Sequence, residues 1–313
     1  MQKRSPVILL IPLTLLLGSC GSTSTDIKAA LKLAKLHDDA KTIFPEIAND
    51  VYQSCLRTAD LTLLNTPTST SGEIDRDRQA TKRICKGNPA AATKALKDAN
   101  QIILDYLEAL GELAANDLTN FDPQLDSIGT SLQGLPGLNE GEKKEAVGAG
   151  TAIAKFLFRA ATDGYRREQL KQAVTTANAP LQTLVTALAK AVSQHYINGL
   201  LKTEQLAVNN YYSFYLGRVL TAPRTESVSA QVNTETAKDQ EWKNTNKIIE
   251  EKKVLATGYL NLLKKIAYDH EILRGMYVKG EKPSATQVKR MADEYSKELK
   301  LLVKKSEKLF PKN

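Results

Sequence analysis

From Asp26 to the C terminus, aliphatic residues recur at spacings of three and four, and no stretch alternates with a period of two beside Gly or Asn turn pairs. Such a pattern lays one apolar stripe along each helix and leaves nothing to build a sheet, so the chain is expected to be all-α. The stripe is sharpest between Thr234 and Val278. One seam position there reads Trp242, Ile249, Ala256, Leu263, His270 and Tyr277, and its partner reads Thr245, Lys252, Tyr259, Ile266 and Leu273. Ile248, Leu255 and Leu262 lie beside them. That width exceeds a two-stranded seam and predicts packing against at least two neighbours.

The other helices follow from the same spacing and from the residues that end them. A first helix is expected from about Asp26 to Leu64, with Leu31, Ala34, Leu36, Ile43 and Ile47 on its apolar side and a kink or break at Pro45. A short charged helix follows from Glu73 to Lys86. Gly87-Asn88-Pro89 then reads as stop, N-cap and first-turn proline of a helix that carries Leu96, Ile103, Leu107 and Leu110 to about Ala115. Residues 116–140 are a loop region broken by Pro123, Gly129, Gly134, Pro136 and Gly137, with one short helix from Pro123 to Leu132. A long helix is expected from Asn139 to Ala177. Asn178-Ala179-Pro180 should end it and start the next, which reaches Leu220 on a stripe of Leu181, Leu184, Val185, Leu188 and Val192. Thr221 to Val232 is a second loop, and Lys279 to Pro283 a tight connection. Ser284 and Gln287 resemble a capping box for a last helix with Ala292, Tyr295, Leu299, Leu302 and Leu309 on its seam. Helices of about 35–45 residues would be roughly 50–65 Å long, too long for a compact globule. The expected architecture is an elongated antiparallel bundle of long helices, one domain over residues 26–313.

The N terminus has a different character. Lys3 and Arg4 precede an apolar run from Val7 to Leu17, too short for a membrane span of roughly 20 residues and suited to the core of an export signal. Leu17-Gly18-Ser19-Cys20 resembles the lipobox of bacterial lipoproteins. The resemblance covers residues 1–20 only. It implies that residues 1–19 are a cleaved signal peptide and that Cys20 becomes the first residue and carries lipid. Residues 20–25 would then be a small, polar tether, and the membrane a partner reached through that lipid. It also implies a cell-envelope location, with the absence of Asp after Cys20 pointing to the outer membrane where two membranes exist. Export would deliver Cys55 and Cys85 to an oxidising compartment, where a disulfide stapling the short charged helix is expected; two buried free thiols are the alternative. Closing a loop of that length stabilises by about 3–4 kcal/mol in the chain-entropy model.

Loss of Lys3 and Arg4 lowers the formal charge from +8, and the remaining excess is concentrated at the C-terminal end. Lys304, Lys305 and Lys308 are candidate contacts to an anionic envelope surface, the alternative being an ordinary solvated helix face. Nucleic acid is not an expected partner of an exported chain. His37, His195 and His270 are far apart in sequence and read as surface or hydrogen-bonded core residues; with no close Cys or His spacing, no metal site and no cofactor are expected. There is no G-x-S-x-G turn and no Gly-rich phosphate loop, and the adjacent Glu250 and Glu251 point apart on a helix. No enzymatic activity is expected. Between Asn209 and Tyr215, Tyr211, Phe214 and Tyr215 share a face while Tyr212 points away. That is a core stripe with one exposed tyrosine, or a contact patch in which Tyr211, Tyr212 and Tyr215 meet a protein partner. The small residues from Ala146 to Phe158 permit a tight helix crossing or, less readily because of Lys155 and Arg159, insertion into a membrane. The sequence thus predicts a lipid-anchored, non-enzymatic binding or spacer module; the alternative is a membrane-active helical protein, a pore former or surface toxin.

Overall fold

The computed structural model describes residues 25–61, 71–115, 131–162, 169–221, 228–280 and 296–311, and these form helices and turns with no strand among them. The helices are α1 (Thr25–Ala34), α2 (Leu36–Asp60), α3 (Ser71–Cys85), α4 (Asn88–Ala115), α5 (Glu140–Thr162), α6 (Leu170–Lys190), α7 (Lys202–Thr221), α8 (Val228–Val278) and α9 (Ser296–Leu309). A π-helical segment, Ala191–Leu201, joins α6 to α7, and a 3₁₀ turn, Leu132–Gly134, precedes α5. Residues 1–24 and the expected short helix before Leu132 lie outside the described residues, as does the capping box at Ser284.

The spine is α8, whose 51 residues span about 76 Å. Its seam from Ile249 to Leu273 is buried without a gap, and Leu255 and Leu262 widen it as expected. Side-chain contacts fix the level of each neighbour along it. Asp50 of α2 meets Lys252, Phe44 packs edge-on against Tyr259, and Tyr106 of α4 and Asn178 of α6 both reach His270. Ala34 of α1 lies against Gly111 near the end of α4. The bundle therefore has two ends. Thr25, the close of α4 and the last turns of α8 share one of them, while α7 and the first turns of α8 run on together beyond the other. Ile248, expected to widen the seam with Leu255 and Leu262, is instead 47% exposed.

The last helix docks through a close approach. A side chain on Gly258 would meet Leu302 at 2.3 Å, so glycine is what lets α9 settle against α8. α9 runs antiparallel to α8, with Phe310 reaching Lys252. The staple is present: Cys55 of α2 is bonded to Cys85 of α3, with Cα atoms 5.8 Å apart. Cys85 is the only fully buried residue of α3, so the bond fixes a helix that otherwise lies open to water.

Two boundaries differ from expectation. The first helix passes through Pro45 and is interrupted instead at Lys35, and Pro180 lies inside α6. A proline inside a helix costs about 3 kcal/mol. Burial of Phe44 and Ile47, or of Ala177 and Leu181, on either side offsets it. The helix expected from Asn139 to Ala177 is two helices, α5 and α6, packed against each other. Their junction falls within residues 163–168, which lie outside the described residues. At the start of α5, Asn139 and Glu142 cap each other reciprocally, and Glu142 also holds Lys190 of α6 at 2.6 Å.

Candidate functional site

The most concentrated chemistry is buried where α2, the π segment, α7 and α8 meet. Asp50, Ser54 and Arg57 are four and three residues apart on one face of α2, which aligns them. Arg57 spreads its guanidinium over both Asp50 oxygens at 2.9 Å, while its Nε donates to Glu204 at 2.6 Å. Ser54 donates to Glu204 at 2.6 Å, Tyr196 to Asp50 at 2.7 Å and Lys252 to Asp50 at 2.9 Å. Beyond Asp50, the Lys252 ammonium lies 5.4 Å from the centroid of Phe310. The cluster thus joins two carboxylates with two cations, and its charges balance.

The π segment makes this convergence possible. Eight residues separate Tyr196 from Glu204, which in a regular α-helix would set them about 80° apart. The wider π turn advances less per residue and brings both side chains towards α2. Burial alone would push the Asp50 carboxyl up, but Arg57 and Lys252 beside it, with hydrogen bonds from Arg57 and Tyr196, hold it below the usual carboxylate range. Burial pulls the Lys252 ammonium down, with Asp50 opposing, and pushes the Tyr196 hydroxyl well up. Asp50 and Glu204 are nearly inaccessible to water, and every polar group named has a partner. Arg57 is about one-third exposed at the rim of the cluster, and the arrangement fixes the helices to one another.

A second centre lies towards the other end. Asn178 Oδ1 can only accept, so His270 Nδ1, 2.8 Å away, carries the proton. His270 Nε2 then accepts from the Tyr106 hydroxyl at 2.5 Å. Burial holds this imidazole neutral by pulling its pKa down to about 3. Asn178 donates onward to Glu271, which pairs with Arg274 at the surface. His270 is thus the hydrogen-bonded core residue its seam position suggests. His195, half-buried in the π segment, makes no hydrogen bond through Nε2, and burial lowers its pKa. His37 is mostly covered, and its neighbour Asp38 is exposed. Beside these two residues a groove of about 690 Å³ runs between α1 and α4, with Leu31, Ala34, Leu107 and Gly111 beneath Lys28 and Glu108.

The tyrosines expected to meet a partner lie on the two-helix arm formed by α7 and the start of α8. Their orientation is the reverse of the expected one. Tyr212 is the buried member, 5% exposed, while Tyr211, Phe214 and Tyr215 are half-buried. The reason is the line of α8, which passes on the Tyr212 side. Trp242 and Asn246 both donate to Asn209 there, at 2.8 and 3.2 Å, and Tyr211 packs edge-on against Tyr212. Lys238 of α8 also lies 5.7 Å from the Tyr215 ring centroid. These aromatics are engaged between the arm's own helices. Lys304 and Lys308 are exposed on the flank of the bundle and Lys305 is half-buried, so the structure does not bring the tyrosines and lysines together. Cys20 lies outside the described residues.

Sequence reasoning passed over the buried cluster. Its partners are separated by 146 to 202 residues, except for the local pair Asp50 and Arg57. One signal was available: Lys252 occupies a seam position where an aliphatic residue is expected, and a lysine there demands a buried acid. Among the described residues no group of three or more His, Cys, Asp and Glu is placed to hold a metal ion. Comparison of the chain with family models, curated proteins and solved structures finds no match.

Proposed function

We propose that this chain is a lipid-anchored protein of the cell envelope that acts without catalysis, as a binding or spacer module. The observation that carries the reading is the separation of the two ends. Thr25, five residues beyond Cys20, lies at one end of the bundle, and the arm extends from the other, along a helix of 51 residues. Both buried polar centres support it too, since they stiffen the rod between anchor and arm rather than opening to a ligand.

The membrane-active alternative needs α5 to leave the bundle. Ile153, Phe156 and Leu157 are buried in it, and Gly150 sits so close to Leu132 that a side chain there would meet Leu132 at 2.4 Å. No described helix is long and apolar enough to cross a membrane. Leakage of vesicles on addition of the unlipidated chain would favour this alternative.

The anchor is tested at Cys20. The exported chain should begin at Cys20 and carry acyl mass, and Cys20→Ser should leave it uncleaved or release it in soluble form. A Cys20→Ser chain that stays with membranes through a carbonate wash overturns the reading.

A further inference from the structure

Among the described residues, the end of the bundle that carries Thr25 presents several cations and exposed apolar side chains. Lys28 and Lys32 of α1 and Lys35 at the break that follows it are four and three residues apart, with Lys28 and Lys35 exposed. On α5, exposed Lys155 and Arg159 flank Phe158, which is 52% exposed. α5 reaches the same level because Phe156 packs at 6.4 Å from Tyr106, the partner of His270. The last turn of α8 adds Val278, 52% exposed, and beside it exposed Lys279. Three helices therefore each present a cation at this end, and two of them pair it with an apolar side chain. That combination suits a lipid headgroup layer, where apolar side chains enter the boundary and cationic heads meet phosphate. Asp38, Asp105, Glu108 and Glu112 lie at the same end and offset part of that charge.

The flank of α9 is the competing surface, with exposed Leu301 beside Lys304 and Lys308. α9 docks at the levels of Gly258 and Lys252. Those levels are roughly 30–40 Å along α8 from Val278. Screening limits electrostatic attraction to about 10 Å, so one membrane cannot hold both surfaces of an upright molecule. Lys28, by contrast, is eight residues from Cys20, at most about 29 Å of extended chain.

We propose that the bundle stands on anionic phospholipid headgroups, seated on the base formed by α1 and the ends of α5 and α8, with the α7–α8 arm pointing away from the membrane. The orientation rests on the lipid-anchor reading, but the base can be tested without the lipid. Full-length chain carrying Cys20→Ser is floated with phosphatidylcholine vesicles and with vesicles containing one-third phosphatidylglycerol. Binding is expected only with the anionic vesicles and should fade as salt rises. Lys28→Gln, Lys32→Gln and Lys35→Gln together should lower it on the order of a hundredfold, at roughly fivefold per lysine. Lys304→Gln, Lys305→Gln and Lys308→Gln together should change it less than twofold. The reverse ranking would mean that the molecule lies on its α9 flank and overturns the proposal, as would absence of binding by the parent chain. If the α1 variant melts early, Lys155→Gln with Arg159→Gln repeats the test from α5. The mass of residue 20 in the wild-type chain reports on the anchor separately.

Discussion

Two stretches of α8 obey one heptad yet live in different surroundings. At Lys252 the helix has α2, α7 and the end of α9 around it, and both members of the Lys252–Asp50 pair are nearly sealed from water. Ten residues earlier, at Trp242, the indole donates to Asn209 of α7 and stays half-buried, although it occupies the same seam as Ile249, which is 1% exposed. Burial along a seam is set by what packs on it, not by the heptad position alone. The bundle should therefore unfold as a unit, while the arm should open locally at lower free energy.

The sharpest way to break that contrast is Asp50→Ala. It leaves Arg57, Lys252 and Tyr196 without their shared acceptor, and a buried ion pair that loses one partner costs about 3–5 kcal/mol. Urea unfolding should show that loss; a change below about 1 kcal/mol would mean that the cluster is not the keystone of the middle. A second measurement uses acid. His270 has a folded pKa of about 3, depressed from about 6.5 in the unfolded chain, so between those values only the unfolded chain takes up the proton. Stability is full above the unfolded value and falls as pH drops, by about 2 kcal/mol between pH 7 and 5. His270→Gln should flatten that slope. An unchanged slope would show that the imidazole is not held neutral. The smallest effect is expected from Trp242→Ala, about 1–2 kcal/mol, below the 3–5 that a fully buried aromatic costs. Amide exchange should quicken in α7 and the first turns of α8 while the melting temperature barely moves. A melting loss as large as that of Asp50→Ala would mean that arm and bundle are one cooperative unit.

Much of this architecture was legible in the residues. The unbroken seam of α8 from Ile249, the stripe from Leu96 to Leu110, the start of a helix near Asn139 and the Cys55–Cys85 bond follow from spacing and from residue type. What escaped was non-local. Pro45 and Pro180 look like helix breaks in a linear reading, because the burial that offsets them comes from other helices. The reversal at Tyr212 came from the line that α8 takes, which no pattern within residues 209–215 contains. The π segment carries no local mark in its sequence either; it is recognised by what it aligns, Tyr196 with Glu204. The acid demanded by Lys252 could have been anticipated, but not which of the chain's carboxylates would supply it.

The continuity of α8 ties the arm's height to its angular phase. Each residue advances the helix by about 1.5 Å and turns it by about 100°. One residue gained or lost between Trp242 and Lys252 would swing the indole a quarter-turn or more away from Asn209. A gain of seven would return it to within about 20° and raise the arm by about 10 Å. A rod built this way changes its reach in whole heptads, so its length behaves as a stepped quantity rather than a continuous one.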